Sequence, residues 1–158
     1  MKTFFKALLG FLLSLVGLAV VIVIAINVFL DNSLSKRQVF RLVEKHSETI
    51  LEDIKENNFE DTLAIDGVTG VDSDDLIDIN CGGSGIGSQT SCSGFYYNED
   101  DNPVVVYYGS IYHVDESELI AYDKGYSYTE MHSDGTVSDN KYYTERISDG
   151  FYYYEWHW

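Results

Sequence analysis

Lys141-Tyr142-Tyr143-Thr144-Glu145-Arg146-Ile147, then Ser148-Asp149-Gly150, then Phe151-Tyr152-Tyr153-Tyr154-Glu155-Trp156-His157-Trp158: this stretch decides the fold. Two runs rich in aromatic and β-branched residues flank an Asp-Gly dipeptide, the strongest short hairpin signal. Side chains alternate across a strand. Tyr152, Tyr154, Trp156 and Trp158 therefore share one face, and Phe151, Tyr153, Glu155 and His157 the other.

Upstream the same grammar repeats. Tyr126–His132 reads as a strand, and Ser133-Asp134-Gly135 supplies a second Asp-Gly turn, with Asp139-Asn140 marking another. Glu116–Ala121 fits either a helical turn or an edge strand. Phe95–Tyr97 and Val104–Tyr108 flank Asn98-Glu99-Asp100-Asp101-Asn102-Pro103, which predicts a hairpin with a long polar tip. Residues 81–94 read as a Gly/Ser-rich loop. Leu63–Val68 and Leu76–Ile79 read as one or two further strands around the acidic turn Asp72-Ser73-Asp74-Asp75. All 13 tyrosines lie between Tyr96 and Tyr154.

Before the strands the period changes. Val39, Leu42, Val43, Ile50 and Ile54 recur at three- and four-residue spacings, an amphipathic helix over residues 33–57. Ser33 or Ser35 is the candidate cap, and Asn57 and Asn58 are the candidate stop. His46 falls at the edge of the apolar stripe.

Ala7–Leu30 contains 24 consecutive uncharged residues. As a helix that run is about 36 Å long, enough to span a hydrocarbon core of about 30 Å. It exceeds a signal-peptide core, and no small-x-small cleavage site follows. The expected organisation is α+β: a short N-terminus and transmembrane anchor (residues 1–30), an amphipathic helix (31–57), and a small tyrosine-rich domain (58–158). That domain is expected to be an antiparallel β-meander of five to seven strands, with one aromatic face packed against the helix.

The 158 residues carry a formal charge of −16, and all 26 acidic side chains follow residue 30. Eight basic residues accompany them, so the part beyond the anchor is strongly acidic. Phosphate neutralisation, the main source of affinity for nucleic acid, is excluded on this surface. Lys2 and Lys6 favour a cytoplasmic N-terminus, whereas Lys36, Arg37, Arg41 and Lys45 favour the reverse. The short basic lead and the Tyr-, Gly-, Ser- and Asn-rich composition favour a domain outside the cytoplasm.

Cys81-Gly82-Gly83-Ser84-Gly85-Ile86, then Cys92-Ser93-Gly94-Phe95-Tyr96-Tyr97, is the most distinctive stretch. Together with Asp139-Asn140-Lys141-Tyr142-Tyr143-Thr144-Glu145-Arg146-Ile147 and the aromatic end, it resembles small, uncharacterised, single-pass membrane-anchored proteins of Gram-positive, clostridia-like bacteria. The resemblance covers most of the chain and implies an anchored, extracytoplasmic domain. It implies no activity. In that pattern the place of Cys92 tends to be aromatic, which makes a Cys81–Cys92 pair a local feature of this chain.

Candidate sites are few. Outside the cytoplasm Cys81 and Cys92 are a disulfide candidate, the alternative being two unpaired small residues. Their spacing does not suit zinc. Gly83 and Gly85 sit in a run that lacks both the Lys-Ser/Thr ending of a phosphate loop and dinucleotide spacing; they remain candidates for presenting backbone to a partner. Asp72, Asp74, Asp75 and Asp78, and again Asn98 to Asp101, are oxygen ligands of the kind Ca²⁺ takes, but neither set matches the twelve-residue loop, so solvated turns are the simpler reading. His46, His113, His132 and His157 are scattered. Trp156 and Trp158 are partner-binding candidates, because Tyr and Trp are enriched at binding hot spots. No catalytic, metal or cofactor motif is present.

The sequence therefore predicts a non-enzymatic, membrane-anchored extracytoplasmic binding or structural module. Its expected partners are the bilayer, through residues 7–30, and an unknown protein or glycan. A pilin-like assembly subunit is the alternative: Gly10-Phe11 offers a junction, but Leu15 stands where that pattern wants Glu. A cell-wall hydrolase ranks below both.

Overall fold

The computed structural model describes residues 13–22, 33–74, 76–86, 89–107, 110–112 and 116–157. The chain divides into two units, Met1–Asp31 and Asn32–Trp158. In the first, residues 13–22 are helical, and Leu13, Leu15, Val16, Leu18, Val20, Val21 and Ile22 are exposed. The rest of the expected span over residues 7–30 lies outside the described residues. Among the described residues no helix is long and apolar enough to cross a membrane.

The second unit opens with α1 (Lys36–Glu56). Ser35 and Gln38 start it with a reciprocal capping box, in which the Ser35 N–H donates to Gln38 Oε1 at 2.9 Å. This satisfies two of the N–H groups that a helix start leaves orphaned. Asn57, the expected stop, closes the helix in the left-handed region at φ 50°. The buried face is Val39, Leu42, Val43 and Ile50, with Asp53 at its end. Each such aliphatic contributes about 1.5–3 kcal/mol when fully buried.

Among the described residues nine strands follow: β1 (Gly70–Asp72), β2 (Ile77–Ile86), β3 (Gln89–Tyr97), β4 (Val105–Tyr107), β5 (Ser110–Tyr112), β6 (Ile120–Tyr122), β7 (Gly125–Met131), β8 (Val137–Ser148) and β9 (Phe151–His157). Seven form one antiparallel sheet in the order β1-β2-β3-β9-β8-β7-β6, and β4 and β5 form a separate hairpin. The sheet is thus two meanders joined in the middle, where β3 pairs β9 from Ser91↔His157 to Tyr97↔Phe151. The aromatic last strand is central and covered on both faces.

One face packs under α1: Ile79, Cys81, Phe95, Phe151 and Tyr153 meet Val39, Leu42, Val43 and Ile50. The other buries Tyr96, Tyr142, Tyr152, Tyr154 and Trp156 beneath Val105 and Val106. The expected single aromatic face against the helix is corrected accordingly. The helix takes the Phe151 and Tyr153 side, and the richer tyrosine face is covered by chain from the β3–β6 connection. Tyrosine hydroxyls secure that cover. Tyr142 donates to Val104 O at 2.8 Å, Tyr152 donates to Asp101 O at 2.6 Å, and Tyr96 accepts the Val104 N–H at 2.9 Å. A buried backbone group without a partner is costly, and here ring hydroxyls replace a strand neighbour.

Four local expectations are corrected. Phe95–Tyr97 and Val104–Tyr108 do not pair as a hairpin: β3 takes β2 and β9 as neighbours, longer ladders than a hairpin across residues 98–103 would offer. Leu63–Val68 is not a strand, because Glu60–Leu63 forms a one-turn helix, α2. The Gly/Ser-rich loop is instead the arms of β2 and β3, with a register shift between Asn80 and Gly83 and Gly82 at φ 106°. Asp139-Asn140 lies inside β8, next to its register shift against β7. The two Asp-Gly turns stand as expected, with Gly135 at φ 82° and Gly150 at φ 74°. Residues 116–122 adopt both readings in turn, a 3₁₀ turn (Glu116–Glu118) and then the edge strand β6.

Candidate functional site

Register places two polar rows on the α1 side of the sheet. Ser127, Tyr143 and Glu155 face one another across β7, β8 and β9, and Thr129, Lys141 and His157 form the next row. The helix packs on β3, β8 and β9. The sheet beyond it, toward β6 and β7, holds a groove of about 460 Å³ lined by Tyr122, Ser127, Lys141, Tyr143, Glu155 and His157.

The groove is built from aromatic and hydrogen-bonding groups together. Tyr122 is 66 % exposed and meets Tyr143 edge to face, with ring centroids 6.3 Å apart. Glu155 accepts the Tyr153 hydroxyl at 2.7 Å, and His157 Nδ1 lies 2.6 Å from Ser91 Oγ. An exposed ring beside a carboxylate, an ammonium and hydroxyls can stack on a sugar face while bonding its hydroxyls. The Ser91–His157 contact is not a triad. Among the described residues no carboxylate bonds His157, so nothing orients the imidazole as a base.

The far wall rests on Lys36, whose ammonium pairs with Glu145 and lies 4.8 Å above the Tyr143 ring. Glu145 is buried and also accepts the Tyr143 hydroxyl at 2.8 Å. The first residue of α1 thereby fixes a ring that lines the groove.

The residues singled out by sequence fall elsewhere. Cys81 and Cys92 are free thiols, which corrects the disulfide candidate. Cys81 packs in the cluster under α1 and Cys92 in the cluster on the opposite face. A disulfide needs its Cβ atoms about 3.5–4.5 Å apart, and here the two side chains point to opposite sides of the sheet. Burial pushes the Cys81 thiol up to about 12, with the nearby Asp78 charge adding to the shift. Gly83 and Gly85 do not present a free loop, since they pair with Cys92 and Thr90. A Cβ on Gly83 would sit 2.7 Å from Ser91 O, so glycine there serves close strand packing. Trp156 is 5 % exposed and packs in the cluster on the tyrosine face of the sheet. Trp158 lies outside the described residues. The turn residues Asp72 and Asp74 are exposed, whereas Asp78 is buried on the tyrosine face.

Alternation along the last strand puts Glu155 and His157 on one face and gives them no role. The available signal was their alternation with Phe151 and Tyr153. Missing was the knowledge that α1 covers part of that face and leaves part open. No protein-family model, curated protein or solved structure matches the chain, so neither a homologue nor a similar fold suggests catalysis.

Proposed function

We propose that the protein is a membrane-anchored, extracytoplasmic, non-catalytic binding module that holds a glycan in the groove beside Tyr122. The observation that carries this reading is the open strip of sheet beyond α1, where an exposed tyrosine ring stands beside cross-strand rows of hydroxyl, carboxylate and ammonium groups. The uncharged run Ala7–Leu30 is the anchor, and the acidic domain favours uncharged or cationic partners over nucleic acid. Ring stacking and rim hydrogen bonds make the affinity modest, and an anchored array offsets weak single sites by effective concentration.

The test has two arms. Protease treatment of intact cells carrying a C-terminal epitope should shave the tag. The full chain in an uncharged detergent should bind β-linked N-acetylglucosamine oligomers, and Tyr122→Ala and Glu155→Gln should each weaken binding about tenfold. A protected tag overturns the location. A shaved tag with no saturable binding, or binding unchanged in both variants, overturns the groove as the site.

A further inference from the structure

The opposite face of the sheet holds a second site, separate from the groove. We propose that the cavity between β1 and the end of β9, based on Asp78, binds the primary ammonium group of a small amine or of a lysine-like side chain. Its volume is about 230 Å³, and its lining includes Asp72, Asp78, Asn80, Tyr154 and Trp156.

The argument starts from one atom. Asp78 is 6 % exposed, and its Oδ1 is buried without a hydrogen-bond partner. A buried carboxylate with an empty oxygen is costly unless a donor or a positive charge reaches it. The Tyr154 hydroxyl stands beside this carboxyl and acts against the rise in its pKa that burial causes. That hydroxyl reaches β2 because Gly94 separates Asn80 from Tyr154 in the register. A Cβ on Gly94 would lie 2.9 Å from the Tyr154 oxygen and 2.3 Å from Ile79 O. Glycine at this one position keeps the route across the sheet open.

The remaining wall groups select the ligand. Asn80 is occupied: its Oδ1 accepts Thr69 Oγ1 at 2.7 Å and the Gly82 N–H at 2.8 Å, and its Nδ2 donates to Cys92 Sγ at 2.7 Å. Asp72 stands opposite Asp78 in the β1–β2 ladder. The charged groups left for a ligand are therefore carboxylates, flanked by the rings of Tyr154 and Trp156. Carboxylate acceptors, net negative charge and ring faces together favour a cation that brings its own N–H groups. Two carboxylates fall well short of the six to eight oxygens that Ca²⁺ takes. At about 30 Å³ per water, the cavity has room for a short alkylammonium head. Burial pushes the Asp78 carboxyl up to about 7, against the Tyr154 hydrogen bond and with the Asp72 charge adding to the rise, as befits a group short of a cation.

The probe is n-butylammonium, titrated at pH 8 into the full chain in an uncharged detergent and followed by calorimetry and by amide shifts of β1 and β2. Saturable binding is expected, with shifts centred on Asp78 and Asp72. Asp78→Asn should weaken it about tenfold or more, while Tyr122→Ala in the groove leaves it unchanged. The exposed Asp72→Asn should weaken it severalfold with the circular dichroism unaltered, which separates lost binding from lost folding. Binding of n-butanol as tight as that of the amine, tighter binding of Ca²⁺ at the same residues, affinity in both Asp variants unchanged from the parent, or no saturable binding would each overturn the proposal. None of these outcomes bears on glycan binding at the groove.

Discussion

Arg146 grips Asp101 across 45 residues of chain, with Nε 3.1 Å from Oδ1 and Nη2 2.6 Å from Oδ2. Asp101 Oδ1 also accepts the Gly150 N–H at 2.9 Å, and Asp101 itself sits at φ 52°. The acidic turn between β3 and β4 is thereby folded back onto the β8–β9 turn. Hydrogen bonds from Arg146 and Gly150 hold the Asp101 carboxyl down at about 2. A lowered folded value means that this tie is complete above the usual carboxylate value of about 3.9. It is lost as pH falls toward about 2. Protection factors at Asp101 and Gly150, with the intrinsic pH dependence of amide exchange divided out, should fall over that window, and Arg146→Ala should lower them in the same way at pH 7.

Asp78 has the opposite sign. Its folded value is raised to about 7, so its contribution to stability is complete below about 3.9 and is lost as pH rises through 7. Asp78→Asn should therefore stabilise the protein by about 4 kcal/mol at pH 8 and change little at pH 4. Denaturant titrations at the two pH values check this. Equal stability of variant and parent at pH 8 would show that Asp78 is already satisfied.

Asp53 acts at a distance as a cap. Its Oδ2 accepts the Thr62 N–H at 2.7 Å and the Thr62 hydroxyl at 2.8 Å, giving α2 the N-terminal acceptor that Phe59, at the cap position, cannot supply. Asp53→Ala leaves two donors of a fully buried threonine unpaired. A loss of about 2 kcal/mol is expected, read as a lowered denaturant midpoint with unchanged slope.

Cys81 and Cys92 should behave as inert buried thiols. Electrophoretic mobility should not differ with and without reductant, and neither thiol should react with a soluble disulfide reagent until the domain unfolds. A reductant-dependent shift would mean that the two sides of the sheet exchange, contrary to the register.

Gly94→Ala should be a strongly damaging single methyl group in the sheet. Its Cβ would lie 2.3 Å from the Ile79 carbonyl oxygen, which is backbone and cannot yield cheaply. A cost of about 3 kcal/mol is expected from overpacking, measured by thermal unfolding. Gly135→Ala should cost about 1 kcal/mol through its positive φ alone, since its Cβ would meet open space.

Much of this was readable one element at a time. The spacing of Val39, Leu42, Val43 and Ile50 described α1 and its buried face, and Ser35 and Asn57 marked its ends. Asp149-Gly150 and Asp134-Gly135 located two turns, because few residues other than glycine accept the φ those turns need. Composition misled in the Gly/Ser run, where small residues permit close strand approach as readily as they permit a loop. It misled again at residues 98–108, where local hairpin signals lost to nonlocal pairing of β3 with β9.

The amino-acid sequence by itself determined the kinds of element, the alternation of faces along β9, the acidity of the domain and the long uncharged run before it. These follow from local spacing and counting, which need no partner. Tertiary structure alone decided which strands became neighbours, that Cys81 and Cys92 face opposite ways, that Trp156 is core and that Asp78 is buried with an empty oxygen. Such properties depend on what lies across the sheet and what covers it. A polar side chain 6 % exposed and one on the surface are the same letter until the sheet has assembled around them.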